Sequence, residues 1–138
     1  MLRRDTLLDT GAIVGLLVRR DQWHQAFLDT WPEIVNRCVT TEAVLTEASH
    51  LVVQRGGTAV QPLELLLSAE VPIFALHLPA HRQCVHLMKR YADAPMDYAD
   101  ATLVTLADAL DIRRVFTTDR RGFGAYRPAR GVPFEILP

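Results

Sequence analysis

The sequence predicts an α/β fold in which a central, mostly parallel sheet of four to five short strands is flanked by helices. Two observations predict it. Short apolar runs bounded by Gly, Pro or Asp alternate along the chain with stretches of helical spacing, as in a parallel sheet covered on both faces. The length, 138 residues, suits a single domain over residues 1–138 that buries a core without disulfides or metal staples.

The elements follow in order. Thr6-Leu7-Leu8-Asp9 reads as a short buried strand. Helical spacing follows over Gly11 to Leu17 and again over Gln22 to Trp31, where Pro32 is expected to end it. Cys38-Val39-Thr40 is a second strand. Thr41 is placed to cap a helix from Glu42 to Gln54, closed by Gly56-Gly57. A helix from Ala59 to Ser68 has Pro62 in its first turn. Val71 to Leu76 is a third strand, and Pro79 opens a helix running to Ala92. Asp97 is placed to cap a helix from Tyr98 to Leu110. Val115 to Thr118 is a fourth strand. Phe134 to Leu137, behind Pro133, is an edge strand.

Composition is that of an ordinary globular chain, with 49% hydrophobic and 22% charged residues and a net charge of −1. This excludes a polyanion binder that works by bulk charge. The charge is uneven, however. Between Arg113 and Arg130 stand six arginines (113, 114, 120, 121, 127 and 130) against one acid, Asp119. From charge alone such a strip reads first as a solvated surface, and alternatively as a contact for phosphates. Cys38 and Cys84 form no CxxC and read as buried thiols of a reducing compartment. No secretory signal and no run of membrane-spanning length is recognised, so a cytoplasmic protein is expected.

Four carboxylates occupy unusual positions. Asp9 and Asp119 end predicted strands, where open parallel sheets bind their ligands. Asp100 is in line with Leu103, Val104 and Ala107 on its helix, and Glu47 with Ala43, Val44 and Leu51. A carboxylate turned toward a core is costly unless it is paired or binds a metal. Each has a plainer reading. Asp9 and Asp119 can cap the segments that follow them, Asp100 can close a capping box with Asp97, and Glu47 can pair with an arginine. Hard oxygen ligands without His or Cys favour Mg²⁺ or Mn²⁺ over zinc.

Taken in order, the segments resemble a family. Leu7-Leu8-Asp9-Thr10-Gly11-Ala12-Ile13-Val14 looks like the opening of a PIN domain, as does the later Asp21-Gln22-Trp23-His24. Val44-Leu45-Thr46-Glu47, Met96-Asp97-Tyr98-Ala99-Asp100-Ala101 and Thr117-Thr118-Asp119-Arg120-Arg121-Gly122-Phe123 look like its later motifs. Each is short, but together they run in order from residue 7 to 123. The resemblance is closest to the toxin ribonucleases of the VapBC toxin–antitoxin type.

It implies a three-layer PIN-like fold and a Mg²⁺- or Mn²⁺-dependent endoribonuclease. Asp9, Glu47, Asp100 and Asp119 would be its catalytic and metal-site acids. Asp97 would be an additional acid, and Thr117 and Thr118 would offer hydroxyls near the metal. The implied partners are RNA, a second copy of the chain and a small antitoxin whose tail blocks the site. Arg113, Arg114, Arg120, Arg121, Arg127 and Arg130 would hold the RNA backbone. Glu42, five residues before Glu47, is the alternative acid on that helix if the register differs.

Several residues carry other readings. His77 and His81 have a zinc-compatible spacing, but Pro79 between them argues against a shared helical face. Tyr98 and Phe123 flank site acids, where each can either stack on a base or pack in the core. A phosphoacceptor receiver domain needs a lysine at a late strand end, and the sole lysine, Lys89, lies in a helical stretch. A metal-binding but catalytically idle module that binds RNA or a partner is the main rival. A flap-cutting DNA nuclease is disfavoured by the lack of long insertions.

Overall fold

A computed structural model describes residues 3–129 and 131–138. Among the described residues the strands are β1 (Thr6–Leu8), β2 (Cys38–Thr41), β3 (Ile73–Phe74), β4 (Arg114–Phe116) and β5 (Glu135–Leu137). The helices are α1 (Thr10–Leu17), α2 (His24–Ile34), α3 (Glu42–Gln54), α4 (Gln61–Ser68), α5 (Leu78–Arg90), α6 (Tyr98–Leu110) and α7 (Arg120–Ala125).

The five strands form one sheet in the order β3-β2-β1-β4-β5, with every pairing parallel. Successive residues of a strand face opposite sides. Leu7 and Leu8, and Val115 and Phe116, are all fully buried, so both faces of the central strands are covered. Helix α1 packs against α2, α3 and α4, and α5 lies along α6. The ring of Phe27 on α2 meets Phe116 edge-on at 4.5 Å, and Trp31 stacks on the same ring at 6.3 Å.

The chain runs from β1 outward through β2 to β3, then crosses to build β4 and β5 on the other side. The direction of winding therefore switches between β1 and β4. Beyond the carboxyl ends of these two strands the connections diverge and leave a crevice.

Capping residues set several boundaries. The Thr41 hydroxyl accepts from the Val44 amide and starts α3. Asp97 and Asp100 form a reciprocal capping box at the start of α6. Other elements depart from expectation. Pro32 does not end α2, which runs on to Ile34. Pro32 and Leu28 are both exposed, so water can serve the Leu28 carbonyl that the missing N–H leaves open. The third strand shrinks to two residues, the fourth ends at Phe116 rather than Thr118, and α4 begins at Gln61. Helix α7, six residues long, has no counterpart in the sequence reading. Cys38 and Cys84 are buried and unpaired, and burial pushes the Cys38 thiol up to about 12. No helix of the described residues is long and apolar enough to cross a membrane.

Candidate functional site

The crevice between β1 and β4 gathers the acids. Asp9 follows the last residue of β1, and its amide donates to the Phe116 carbonyl at the end of β4 (3.1 Å). Its side chain is 5% exposed. The Thr117 hydroxyl donates to Asp9 Oδ2 at 2.6 Å and accepts from the Asp119 amide at 2.9 Å. Thr117 thus fixes both strand ends against each other.

Asp119 caps α7, with Oδ1 accepting from the Gly122 amide at 2.8 Å. A Cβ at position 122 would come within 2.2 Å of Asp119 Oδ2. Glycine is required there for close approach, and the carboxylate lies over the helix start because nothing stands in its way. Gly11 does the same on the other side, since a Cβ there would meet Thr118 Oγ1 at 2.1 Å.

Glu47, in the middle of α3, reaches the same corner. Its Oε1 accepts from the Thr10 hydroxyl at 2.6 Å, one residue beyond Asp9. Glu42 does not reach it. Asp100 sits in the first turn of α6, where Oδ2 accepts from the Asp97 amide (3.2 Å) and from the Tyr126 hydroxyl (3.2 Å). The Glu47 and Asp100 carboxyls each lie against that of Asp97. Thr41 and Thr102, their hydroxyls 2.8 Å apart, tie the start of α3 to α6 below this group. Thr102 donates to the Ala99 carbonyl, so Thr41 is the donor in that pair.

The electrostatics follow from this crowding. Burial pushes the Asp9 carboxyl up to about 6, with smaller contributions from the charges of Glu47 and Asp119. Burial, then the charges of Asp9 and Asp97, push Asp100 up to about 8. Glu47 is raised by burial and by Asp97. The Tyr126 hydroxyl is raised by burial and by Asp100. Among the described residues, Asp9, Glu47, Asp97, Asp100 and Asp119 make no ion pair with Arg, Lys or His. Like charges held together without a counter-ion are relieved either by a proton or by a cation. The oxygen-only donor set fits a hard divalent ion. As the side chains stand, no three acids, cysteines or histidines among the described residues close into a ready-made cage, so binding requires the carboxyls to draw inward.

The arginines do not form one strip. Arg113 precedes β4 and Arg114 opens it, at the end of the sheet away from the acids. There Arg114 lies 3.7 Å from Asp5 and 3.5 Å from Glu135. Arg120 donates to the Pro138 carbonyl. Arg127 turns back to the Gly124 and Tyr126 carbonyls at 2.8 and 2.9 Å. Arg121, on the first turn of α7, is exposed and without a side-chain partner among the described residues. Arg130 lies outside the described residues.

Of the two aromatic candidates, Phe123 is fully buried against Tyr126 and Phe134, which leaves it no face for a base. Tyr98 is 45% exposed. His77 caps α5 through Nδ1 instead of sharing a helical face with His81. Thr10, Tyr126 and the Thr41–Thr102 pair are site residues that the sequence reading passed over. A hydroxyl directly after Asp9 was the signal available for Thr10. Tyr126 carried none, because its partner is 26 residues away.

Comparison with known proteins shows what the chain and its fold are similar to. The family model described as "PIN domain" matches residues 6–127. The chain is 28% identical over 137 residues to Ribonuclease VapC26 of Mycobacterium tuberculosis, covering 96% of this chain and 99% of that protein. Its fold is similar to the crystal structure of Mycobacterium tuberculosis VapC20, a sarcin-ricin loop cleaving toxin. The TM-score is 0.77 at 20% identity, over 83% of this chain and 90% of that one. A Pyrobaculum aerophilum crystal structure matches with a TM-score of 0.59 at 17% identity, over 88% and 86% of the two chains.

Proposed function

The chain belongs to the PIN domain family, and on that premise we propose that it is a divalent-metal-dependent endoribonuclease, the toxin of a type II toxin–antitoxin pair. One observation carries the reading. Acids from four separate elements, Asp9, Glu47, Asp100 and Asp119, meet at the switch point of the sheet without a cationic partner. The likeness to Ribonuclease VapC26 along nearly the whole chain supports RNA as the substrate.

In this reading Asp9, Asp100 and Asp119 would hold Mg²⁺ or Mn²⁺ with Glu47, and Asp97, exposed in the groove beside Glu47 and Asp100, is a further acid at their edge. A bound ion of this kind supplies activation of the attacking water and neutralises charge on the phosphate oxygens. Thr117 orients Asp9, and Thr118 lies beside Gly11 at the rim. Arg121 is the arginine best placed to contact the RNA backbone near the acids; Arg113 and Arg114 are placed to contact only RNA that wraps to the far end of the sheet. A cytoplasmic location, a homodimer and a cognate antitoxin whose tail covers the acids complete the proposal.

The test is cleavage of single-stranded and structured RNA by purified, antitoxin-free protein in Mn²⁺, in EDTA and as Asp9→Asn. Cleavage that requires both the ion and Asp9 supports the reading. Metal-dependent stabilisation without cleavage of any RNA supports the catalytically idle binding module instead.

A further inference from the structure

Two hollows adjoin the acids. One, of about 410 Å³, has Glu47 and Asp97 in its wall. The other, of about 320 Å³, extends away toward Phe74, Leu76 and His81. They share Ala43, Thr46 and Tyr98, so they form one groove leading out of the acid cluster. The outer hollow is at the small end of the range for ligand sites, ~300–1,000 Å³.

We propose that the outer hollow seats one nucleobase of the RNA strand next to the cleaved bond, stacked on Tyr98 and read by Glu42, with guanine as the base that fits. The proposal rests on the ribonuclease reading above and names the part of the substrate that this groove selects.

Charge excludes the phosphate as occupant. The walls of the two hollows carry Glu42, Glu47 and Asp97 and no arginine or lysine. A neutral base that offers N–H groups meets no such repulsion. Tyr98 follows the capping residue Asp97 and holds its ring at the junction of the hollows, with its hydroxyl unpartnered among the described residues. The His81 ring stands 6.3 Å away, tilted by 40°. A base between two rings needs about 7 Å, twice the ~3.5 Å contact distance of carbon atoms. It therefore takes one face of Tyr98, with His81 at its edge.

The polar groups of the outer hollow narrow the choice. The Thr41 and Thr102 hydroxyls on its floor are committed to each other, to the Val44 amide and to the Ala99 carbonyl. The Glu42 carboxylate has no hydrogen-bond or ion-pair partner among the described residues. It offers two acceptor oxygens side by side. Guanine presents two adjacent donors, N1–H and N2–H, on its pairing edge. Adenine and cytosine place an acceptor beside their amino group, and uracil has a single N–H between two carbonyls. Single-stranded RNA is read along these edges and by stacking.

Two measurements test the proposal. In the first, the full chain in EDTA is titrated with guanosine, adenosine, cytidine and uridine while amide NMR shifts are recorded. Guanosine is expected to move Ala43, Thr46 and Tyr98 at lower concentration than the other three, and Glu42→Gln to remove that difference. In the second, the ends of random-sequence RNA cleaved in Mn²⁺ are sequenced. Guanine is expected to be enriched at one position beside the cut and to lose that enrichment in Glu42→Gln. Tyr98→Ala is expected to lower kcat/KM about 10- to 100-fold, mostly through KM, with Tyr98→Phe near wild type.

Cleavage without guanine bias, unmoved by Glu42→Gln and Tyr98→Ala, overturns the base site and leaves the nuclease standing. Guanosine-selective shifts at these amides without cleavage of any RNA retain the base site and overturn the nuclease. The absence of both overturns both.

Discussion

One hydroxyl joins the two strand-end acids. Thr117 donates to Asp9 Oδ2 at 2.6 Å and accepts from the Asp119 amide at 2.9 Å. A hydrogen bond to a carboxylate favours its charged form, and this one holds Asp9 below the value that burial alone would give. Thr117→Val keeps the shape and removes the bond. The Asp9 carboxyl then rises further, so the acid limb of the pH–rate profile moves to higher pH and activity at pH 7 falls. Loss of a bond to a charged group costs ~1.5–3 kcal/mol, readable as a lower melting temperature in metal-loaded protein. Thr117→Ser should restore both readouts. A pH profile identical in Thr117→Val and wild type would show that the hydroxyl does not set the charge state of Asp9.

Neutralising the acids should separate activity from stability. Asp100→Asn retains an oxygen for the Asp97 amide and the Tyr126 hydroxyl, and removes the charge that the site disfavours. Metal-free Asp100→Asn is expected to melt higher than wild type at pH 9, while its cleavage rate falls at least 10²-fold. Thermal melts in EDTA and single-turnover cleavage in Mn²⁺ check the two halves.

The raised carboxyls also set a pH slope for the metal-free fold. Asp9 rises from 3.8 to about 6 and Asp100 from 3.8 to about 8. Between these limits the folded chain binds more protons than the unfolded one, so stability falls as pH rises. The stabilisation is complete below pH 3.8 for these two groups and is lost by about pH 8. Other carboxylates, such as Asp5 paired with Arg37, act oppositely at low pH. The net decline is therefore expected from about pH 5 to 8. Melting in EDTA should show it, and millimolar Mn²⁺ should flatten it. A melting temperature that climbs from pH 5 to 8 in EDTA would contradict the electrostatic account of the cluster.

Gly11 is expected to tolerate no side chain. The Cβ of Gly11→Ala would meet Thr118 Oγ1 at 2.1 Å and Thr118 Cβ at 3.2 Å. Overpacking of this kind costs ~1–3 kcal/mol, and here it pushes on the loop that carries Asp119. Lower stability and a lower cleavage rate should appear together. Thr118→Ala in the same chain removes the nearest atom and should recover part of both, a coupling that a double-mutant cycle measures.

Much of the fold was legible because single residues mark its boundaries. Thr41 and Asp97 fixed the starts of α3 and α6, and the apolar runs ending in Asp9 and near Asp119 located β1 and β4. Helix α7 was hidden because Gly122 and Gly124 argue against a helix of six residues, and what favours it is the side-chain cap from Asp119 together with the burial of Phe123. The arginine strip was misleading for a geometric reason. A linear stretch that passes through a strand deposits its two ends at opposite ends of the sheet, which takes Arg113 and Arg114 away from the acids. Tyr126 was illegible because nothing local indicates a bond to Asp100.

The hydrogen bond from Thr117 to Asp9 spans 108 residues of chain; Glu47 and Asp100 come from α3 and α6 between them, and Asp119 follows Thr117. No contiguous segment holds enough of the site to act alone. Such long-range pairings form late, after the loops between them have closed. The capacity to cut is then an all-or-none property: a nascent chain or a proteolytic fragment carries only some of the acids, a partly opened molecule carries all of them unassembled, and each is inert.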